Sequence, residues 1–225
     1  MLNPAFNEIF ISELAMHVPE NITEMDYFDT SQLTVDYSRL KGVGRSLVAP
    51  PFLTGSLKID RDTEGNILII GLGGSQLNNF IHYFFPQLNI TVIELEQSIV
   101  ETARKYFGLK EDNTQHVITM DGVDFLREAT NRGVKFDAIY MDVCPTGFSH
   151  KLTIMCPTSI FLDDDIIRLT RQCLKDSGTM VSKMLVFTER IAKETEMVAD
   201  LYRKYFTNCI VAPMPNILNR VSLFI

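Results

Sequence analysis

Gly71-Leu72-Gly73-Gly74-Ser75 directly follows the apolar run Ile67-Leu68-Ile69-Ile70. Glycine permits positive φ and lets a ligand approach the main chain closely. Free amides at the start of a following helix favour a polar or anionic group. A tight strand-to-helix turn without a ligand has the same composition, so the turn alone decides nothing. Three acids that each close an apolar run add to it. Glu94 ends Ile90-Thr91-Val92-Ile93, about 20 residues after the turn, where a carboxylate can accept both hydroxyl protons of a ribose. Glu96 reads instead as a solvated residue near the next helix start. Asp121 ends the run 116–120 and precedes Gly122. It can accept a hydrogen bond from an adenine amino group, with Gly122 leaving room for the ring, or it can cap a helix. Asp142 ends the run 136–141. It can orient an attacking amine and take its proton, hold a cofactor's ammonium group, or solvate a loop. Asp137, at the other end of that run, reads as structural.

Turn and acids together indicate an adenosine-containing ligand. A nicotinamide dinucleotide prefers G-x-G-x-x-G, whose third glycine allows close helix packing. Counted from Gly71, that position is Gln76, which argues against a pyrophosphate cofactor. S-adenosylmethionine carries no phosphate and needs only a turn open to its amino acid tail.

Other clusters carry less. Asp163-Asp164-Asp165 looks like a metal cluster but reads as a helix start, where negative charge opposes the dipole. The cysteines (Cys144, Cys156, Cys173, Cys209) have no C-x-x-C spacing, and the histidines (His17, His82, His116, His150) form no H-x-x-x-H. No metal is expected. The cysteines read as scattered free thiols in a reducing, cytoplasmic setting. His150 and Lys151 lie in the loop after Asp142, within reach of a substrate or simply solvated.

The elements that must position these groups alternate. Strands are expected at 67–70, 90–95, 116–120, 136–142 and 179–186, with helices at 75–85, 97–107, 123–131, 161–174 and 188–205. Pro213 and Pro215 mark a turn between two final strands, 208–212 and 220–225. The pattern predicts an α/β, Rossmann-like doubly wound sheet, mostly parallel with a C-terminal antiparallel hairpin. Residues 1–65 are irregular, with a short helix expected over 37–48, and read as a cap or lid on a domain at 66–225.

The chain has 225 residues, 46% of them hydrophobic, enough for one large domain. A formal charge of −7 argues against a nucleic acid partner and leaves amine-bearing partners open. No apolar run approaches the ~20 residues of a membrane helix, so no membrane association is expected. Glu8 and Glu13 interrupt the first apolar stretch, so no secretory leader is expected.

The pieces ILIIGLGGS, TVIELEQSIVETARKYFGL, HVITMDGVDFLRE and KFDAIYMDV resemble the spermidine synthase-like branch of class I S-adenosylmethionine-dependent transferases. Within it, GLGGSQLNNFIHYFFP, CPTSIFLDDDIIRLTRQCLKDSG and ILNRVSLFI are similar to the C-terminal domain of the methyltransferases that act on lysine and the N-terminus of elongation factor 1-alpha. The resemblance covers about residues 30–225. It implies that Gly71, Gly73 and Glu94 hold the cofactor's methionine part and ribose. Leu95 would pack on adenine, and Asp121 would bind its amino group beside Gly122. Asp142 falls on the family's active-site acid and Asn219 on a polar residue near the transfer site. The implied reaction is methyl transfer from S-adenosylmethionine to a nitrogen, with a protein amine as acceptor and a homodimer as the family's assembly.

The departures bear on the alternatives. Aminopropyltransferases carry an acid in the glycine turn at the position of Gly74, and a second acid in a D-x-x-D pattern where this chain has Asp142-Val143-Cys144-Pro145. Their N-terminal β-rich domain is short or absent here. Without those carboxylates a cationic polyamine is less compensated, which disfavours aminopropyl transfer. Ser75 replaces the last glycine of G-x-G-x-G, which leaves a non-catalytic scaffold as a further alternative.

Overall fold

A computed structural model describes residues 12–18, 33–40, 44–145, 153–186, 191–213 and 219–225. Two short strands, β1 (Met16–His17) and β2 (Thr34–Val35), pair antiparallel. Two short helices follow, α1 (Gly44–Val48) and α2 (Pro50–Leu53). Of the expected helix over 37–48, Gly44–Val48 is helical, while Tyr37-Ser38 form a turn; residues 41–43 lie outside the described residues. Pro50 and Pro51 open α2, at positions where a missing N–H costs nothing.

Strand and helix then alternate: β3 (Gly65–Ile70), α3 (Gln76–Phe84), β4 (Leu88–Glu94), α4 (Gln97–Tyr106), β5 (Gln115–Thr119), α5 (Gly122–Asn131) and β6 (Phe136–Met141). β7 (Ile154–Cys156) lies in what the sequence presents as a loop. It is followed by α6 (Asp164–Gln172), β8 (Leu174–Val186), α7 (Ile191–Arg203), β9 (Cys209–Pro213) and β10 (Asn219–Phe224). The helix expected over 161–174 begins instead at Asp164. Asp163 is extended and occupies the cap position, after a 3-10 turn at Ser159–Leu162. Asp164 and Asp165 fall in the first helical turn, as their charge favours.

The main sheet has the order β5-β4-β3-β6-β8-β10-β9, with β7 paired to the end of β8. Pairs from β5 to β8 are parallel; β8–β10 and β10–β9 are antiparallel. This is the Rossmann-like doubly wound sheet with a C-terminal antiparallel hairpin that the alternation predicts. β8 starts five residues earlier than expected, at Leu174. Phe136 pairs with Leu174 and Ala138 with Thr179, so the intervening Ser177-Gly178 sits in a bulge of the strand.

Both faces of the sheet are covered, which explains the continuous apolar runs. Along β3, Leu68 and Ile70 face a core with Leu126 of α5, Ile167 of α6 and Val198 of α7. Ile67 and Ile69 face another, with Leu47, Leu77, Ile81 and Val100. The last strand closes the first core. Phe224 is fully buried, stacked on Tyr202 at 4.4 Å between ring centroids and 5.5 Å from Phe206. Among the described residues no helix is long and apolar enough to cross a membrane.

Truncating Phe224 tests whether the hairpin belongs to the core. Phe224→Ala should cost about 3–5 kcal/mol, read as a lower urea midpoint with an unchanged slope.

Candidate active site

Strand order reverses at β3, with β4 on one side and β6 on the other, and crevices for ligands open at the carboxyl ends of such strands. Gly71 begins the turn at φ +96° and Gly73 continues it at +51°. The Gly71 N–H donates to the Ile93 carbonyl (2.8 Å), and the Asp142 N–H donates to the Ile70 carbonyl (3.0 Å). A Cβ on Gly71 would stand 2.4 Å from the Asp142 carbonyl oxygen. Gly71 is therefore required twice, by its φ and by its neighbour.

Gly74 is closed in from behind. A Cβ there would lie 2.5 Å from Ser12 Cβ and 2.6 Å from the Phe107 ring, and its N–H donates to Ser12 Oγ (2.6 Å). An acidic side chain at this position has no room. Ser75 is left-handed at φ +59° and fully buried. That backbone costs a non-glycine residue about 1 kcal/mol, and its Oγ offsets this by donating to Asn78 Oδ1 (3.0 Å).

This bond starts a buried relay that the sequence did not disclose. Asn78 Nδ2 donates to Gln115 Oε1 (3.0 Å). Gln115 Nε2 donates to the Lys110 carbonyl (2.7 Å) and to Asn79 Oδ1 (3.3 Å). Asn79 Nδ2 reaches the Phe107 carbonyl (3.3 Å). The apolar period of α3 marks Leu77, Phe80, Ile81 and Phe84, yet Asn78 and Asn79 are also buried. Mutual satisfaction makes that tolerable, and only the pairing with β5 reveals it.

Glu94 braces the turn. Its Oε2 accepts from the Leu72 N–H (2.9 Å) and its Oε1 from the Glu96 N–H (3.0 Å). A carboxylate has about four acceptor sites, so two remain. Leu95 follows with 60% of its surface exposed, an apolar face at the open edge of the sheet. Asp121 caps α5: its Oδ1 accepts from Val123 N–H (2.7 Å) and Asp124 N–H (3.3 Å), bonds that leave Oδ2 out. A Cβ on Gly122 would stand 2.8 Å from Ile70 Cγ2 and 3.1 Å from Phe161 Cζ, so its smallness already serves packing.

Asp142 has a partner the sequence did not suggest. Lys183 Nζ, from β8, lies 3.0 Å from Asp142 Oδ1, with side-chain exposures of 19% and 29%. Oδ1 is buried and makes no hydrogen bond, so this contact is a charge pair out of line for one. Asn219 opens β10 opposite Leu185, while Ser182 stands opposite Met141. The register therefore puts Asn219 at the same sheet edge as Asp142. His150 and Lys151 lie outside the described residues.

The cysteines require a correction. Cys144 and Cys156 are disulfide-bonded, with Cα atoms 4.8 Å apart, tying the segment after Asp142 to β7. Their separation of 12 residues matches no metal or redox motif, so they read as isolated thiols. Cys173 and Cys209 are free. Burial raises both thiols, Cys209 to about 11, which makes them poor nucleophiles. Among the described residues no three His, Cys, Asp or Glu side chains are grouped for a metal. A cavity of about 270 Å³ lined by Tyr37, His82 and Asp112 lies at the far end of α3, apart from these groups.

The spermine/spermidine synthase domain family matches residues 53–225. The chain is 32% identical over 149 residues to an eEF1A lysine and N-terminal methyltransferase homolog of Drosophila melanogaster, covering 66% of this chain and 22% of that protein. It is 24% identical over 160 residues to the Homo sapiens eEF1A lysine and N-terminal methyltransferase, covering 70% and 22%. The chain thus spans about a fifth of the length of these curated relatives. Among solved structures, human methyltransferase-like protein 13 in complex with SAH superposes with a TM-score of 0.66 at 22% identity, covering 80% of this chain and 78% of that one. Spermidine synthase from Thermotoga maritima superposes with a TM-score of 0.59 at 16% identity, covering 85% and 64%. These likenesses extend the fold to both.

Two measurements test the scaffold of the site. Gly133 has φ +67° with open space around its Cβ position, so Gly133→Ala should cost about 1–2 kcal/mol from backbone strain alone. Gly71→Ala should cost more in the same urea titration, because the clash with Asp142 adds to the strain. Gln115→Leu strands buried partners on Asn78, Asn79 and Lys110. It should lose at least about 2 kcal/mol, a fall in Tm of several degrees.

Proposed function

The chain belongs to the spermine/spermidine synthase domain family, and on that premise we propose that it is an S-adenosylmethionine-dependent methyltransferase acting on a nitrogen of a protein. The observation that carries this reading is convergence. The glycine turn, Glu94, Asp121 and Asp142 come from four successive strand ends and meet at one edge of the sheet.

The residues present fit the cofactor. The turn offers partly exposed main chain at Gly71 and Gly73 for its amino acid tail. Glu94 keeps acceptor capacity for ribose hydroxyls after bracing Leu72 and Glu96. Leu95 offers an exposed apolar face for adenine, with Asp121 Oδ2 for its amino group and Gly122 alongside. When bound, S-adenosylmethionine supplies an electrophilic sulfonium methyl group. The protein's share is positioning: Asp142 and Asn219 orient the acceptor nitrogen, and Asp142 takes up or relays the proton that the amine loses.

The names of the curated relatives support a protein acceptor. A cytoplasmic setting accords with them and with the free Cys173 and Cys209; thiols are kept reduced there, so the Cys144–Cys156 bond would be the exception. Against aminopropyl transfer stands Gly74, whose surroundings leave no space for the acid that aminopropyltransferases carry in the glycine turn.

Saturating S-adenosylhomocysteine should raise the melting temperature, as any ligand of the folded state does. Labelled methyl groups should enter protein in a cell extract. Asp142→Asn should keep the thermal shift and lose about 100-fold or more in transfer. A larger shift with decarboxylated S-adenosylmethionine would turn the reading to aminopropyl transfer, and no shift with either ligand would leave a scaffold.

A further inference from the structure

We propose that Lys183 is a specificity residue, the built-in counter-charge of the acceptor subsite, which refuses cationic amines and admits an acceptor whose nitrogen arrives uncharged. The proposal rests on the methyltransferase reading above and deepens it.

Lys183 is not a surface lysine that happens to meet an acid. It stands inside β8, opposite Val221 of β10, one residue past the Ser182–Met141 pairing. Strands on both sides therefore fix its main chain, and its side chain is only 19% exposed. Nζ reaches 3.0 Å from Oδ1 of Asp142, the acid placed to handle the acceptor. Oδ1 is buried without a hydrogen bond, so among the described residues the ammonium is what balances it. Charges shielded from water in this way are weakly screened by salt.

The charge sum at this corner follows. One carboxylate is matched by one ammonium. Val143, Cys144 and Pro145 add no acid after Asp142, and Gly74 has no room for one. An ammonium arriving at Asp142 would face Lys183 at short range, with the charge of Asp142 already matched. A polyamine brings at least two such charges. A neutral amine meets no such barrier, and neutral is the form that carries a lone pair for methyl transfer.

The probe is putrescine, titrated calorimetrically into the whole chain. Wild type should show no measurable heat of binding. Lys183→Met should gain at least roughly tenfold in putrescine affinity, since it bares Asp142. Lys183→Arg keeps the charge and should gain nothing, and Lys183→Met combined with Asp142→Asn should lose the gain. A gain confined to the charge-removing variant is not what loosened packing produces. If Lys183→Met fails to fold, Lys183→Gln takes its place. A parallel titration with S-adenosylhomocysteine separates the two readings. Unchanged putrescine behaviour in a variant that still binds S-adenosylhomocysteine overturns the counter-charge and leaves the methyltransferase standing. Wild type that does not bind S-adenosylhomocysteine overturns both.

Discussion

The contact on which the site depends is between two main chains. Where β3 and β6 end side by side, the Asp142 N–H donates to the Ile70 carbonyl, and the Asp142 carbonyl oxygen occupies the space that a side chain at 71 would need. The two chains part immediately afterwards, one into the glycine turn and α3, the other toward β7. A crevice can open there only if the first residue past β3 has no Cβ. Gly71 thus couples the glycine turn to the acid that ends β6, so neither can shift without the other. Glu94 locks the third side by holding the Leu72 N–H.

The turn is also supported from beneath and behind. Beneath, the relay from Ser75 through Asn78 to Gln115 fixes the start of α3 to the first residue of β5. Its members are amides and a hydroxyl, which satisfy one another without net charge and so avoid the cost of burying ions. Behind, the segment before β1 supplies Ser12 Oγ to Gly74 and the Glu13 carbonyl to Gln76. The N-terminal residues read as a cap from their irregular composition. The described part of them backs the glycine turn, and Leu47 and Leu57 enter the core itself.

Legibility followed physical cause. β3, β4 and β6 are apolar on both faces, so their runs stand out, and the acids that end them are conspicuous because the apolar pattern stops there. The N-cap alternative for Asp121 was visible for the same reason, and the structure shows that bond formed. What was not legible depends on partners far away in sequence. β7 has three residues, too few for a pattern. The start of β8 was hidden by its bulge, since Ser177-Gly178 is also what ends a helix. Asn78 and Asn79 interrupt an amphipathic period and make sense only beside Gln115. Lys183 reads as a polar break in an apolar strand until β8 is known to lie beside β6. The Cys144–Cys156 bond depends on the return of β7 toward Asp142, which no spacing rule encodes.

Global and local charge point in different directions here. A chain with a formal charge of −7 draws basic partners from a distance, but that attraction fades over the roughly 8–10 Å of a Debye length. At the acceptor subsite proposed above, the relevant sum is that of Asp142 and Lys183, which is zero. On that proposal, attraction and selection are handled by separate parts of the molecule. The acidic surface can gather a basic macromolecule while the crevice gives no credit for positive charge on the reacting nitrogen. A small polyamine has nothing but its charges to offer and is disadvantaged at the second stage. On the proposed reading, a protein acceptor can bind through contacts elsewhere and present one uncharged amine, which suits a subsite where the charge of Asp142 is already matched by Lys183.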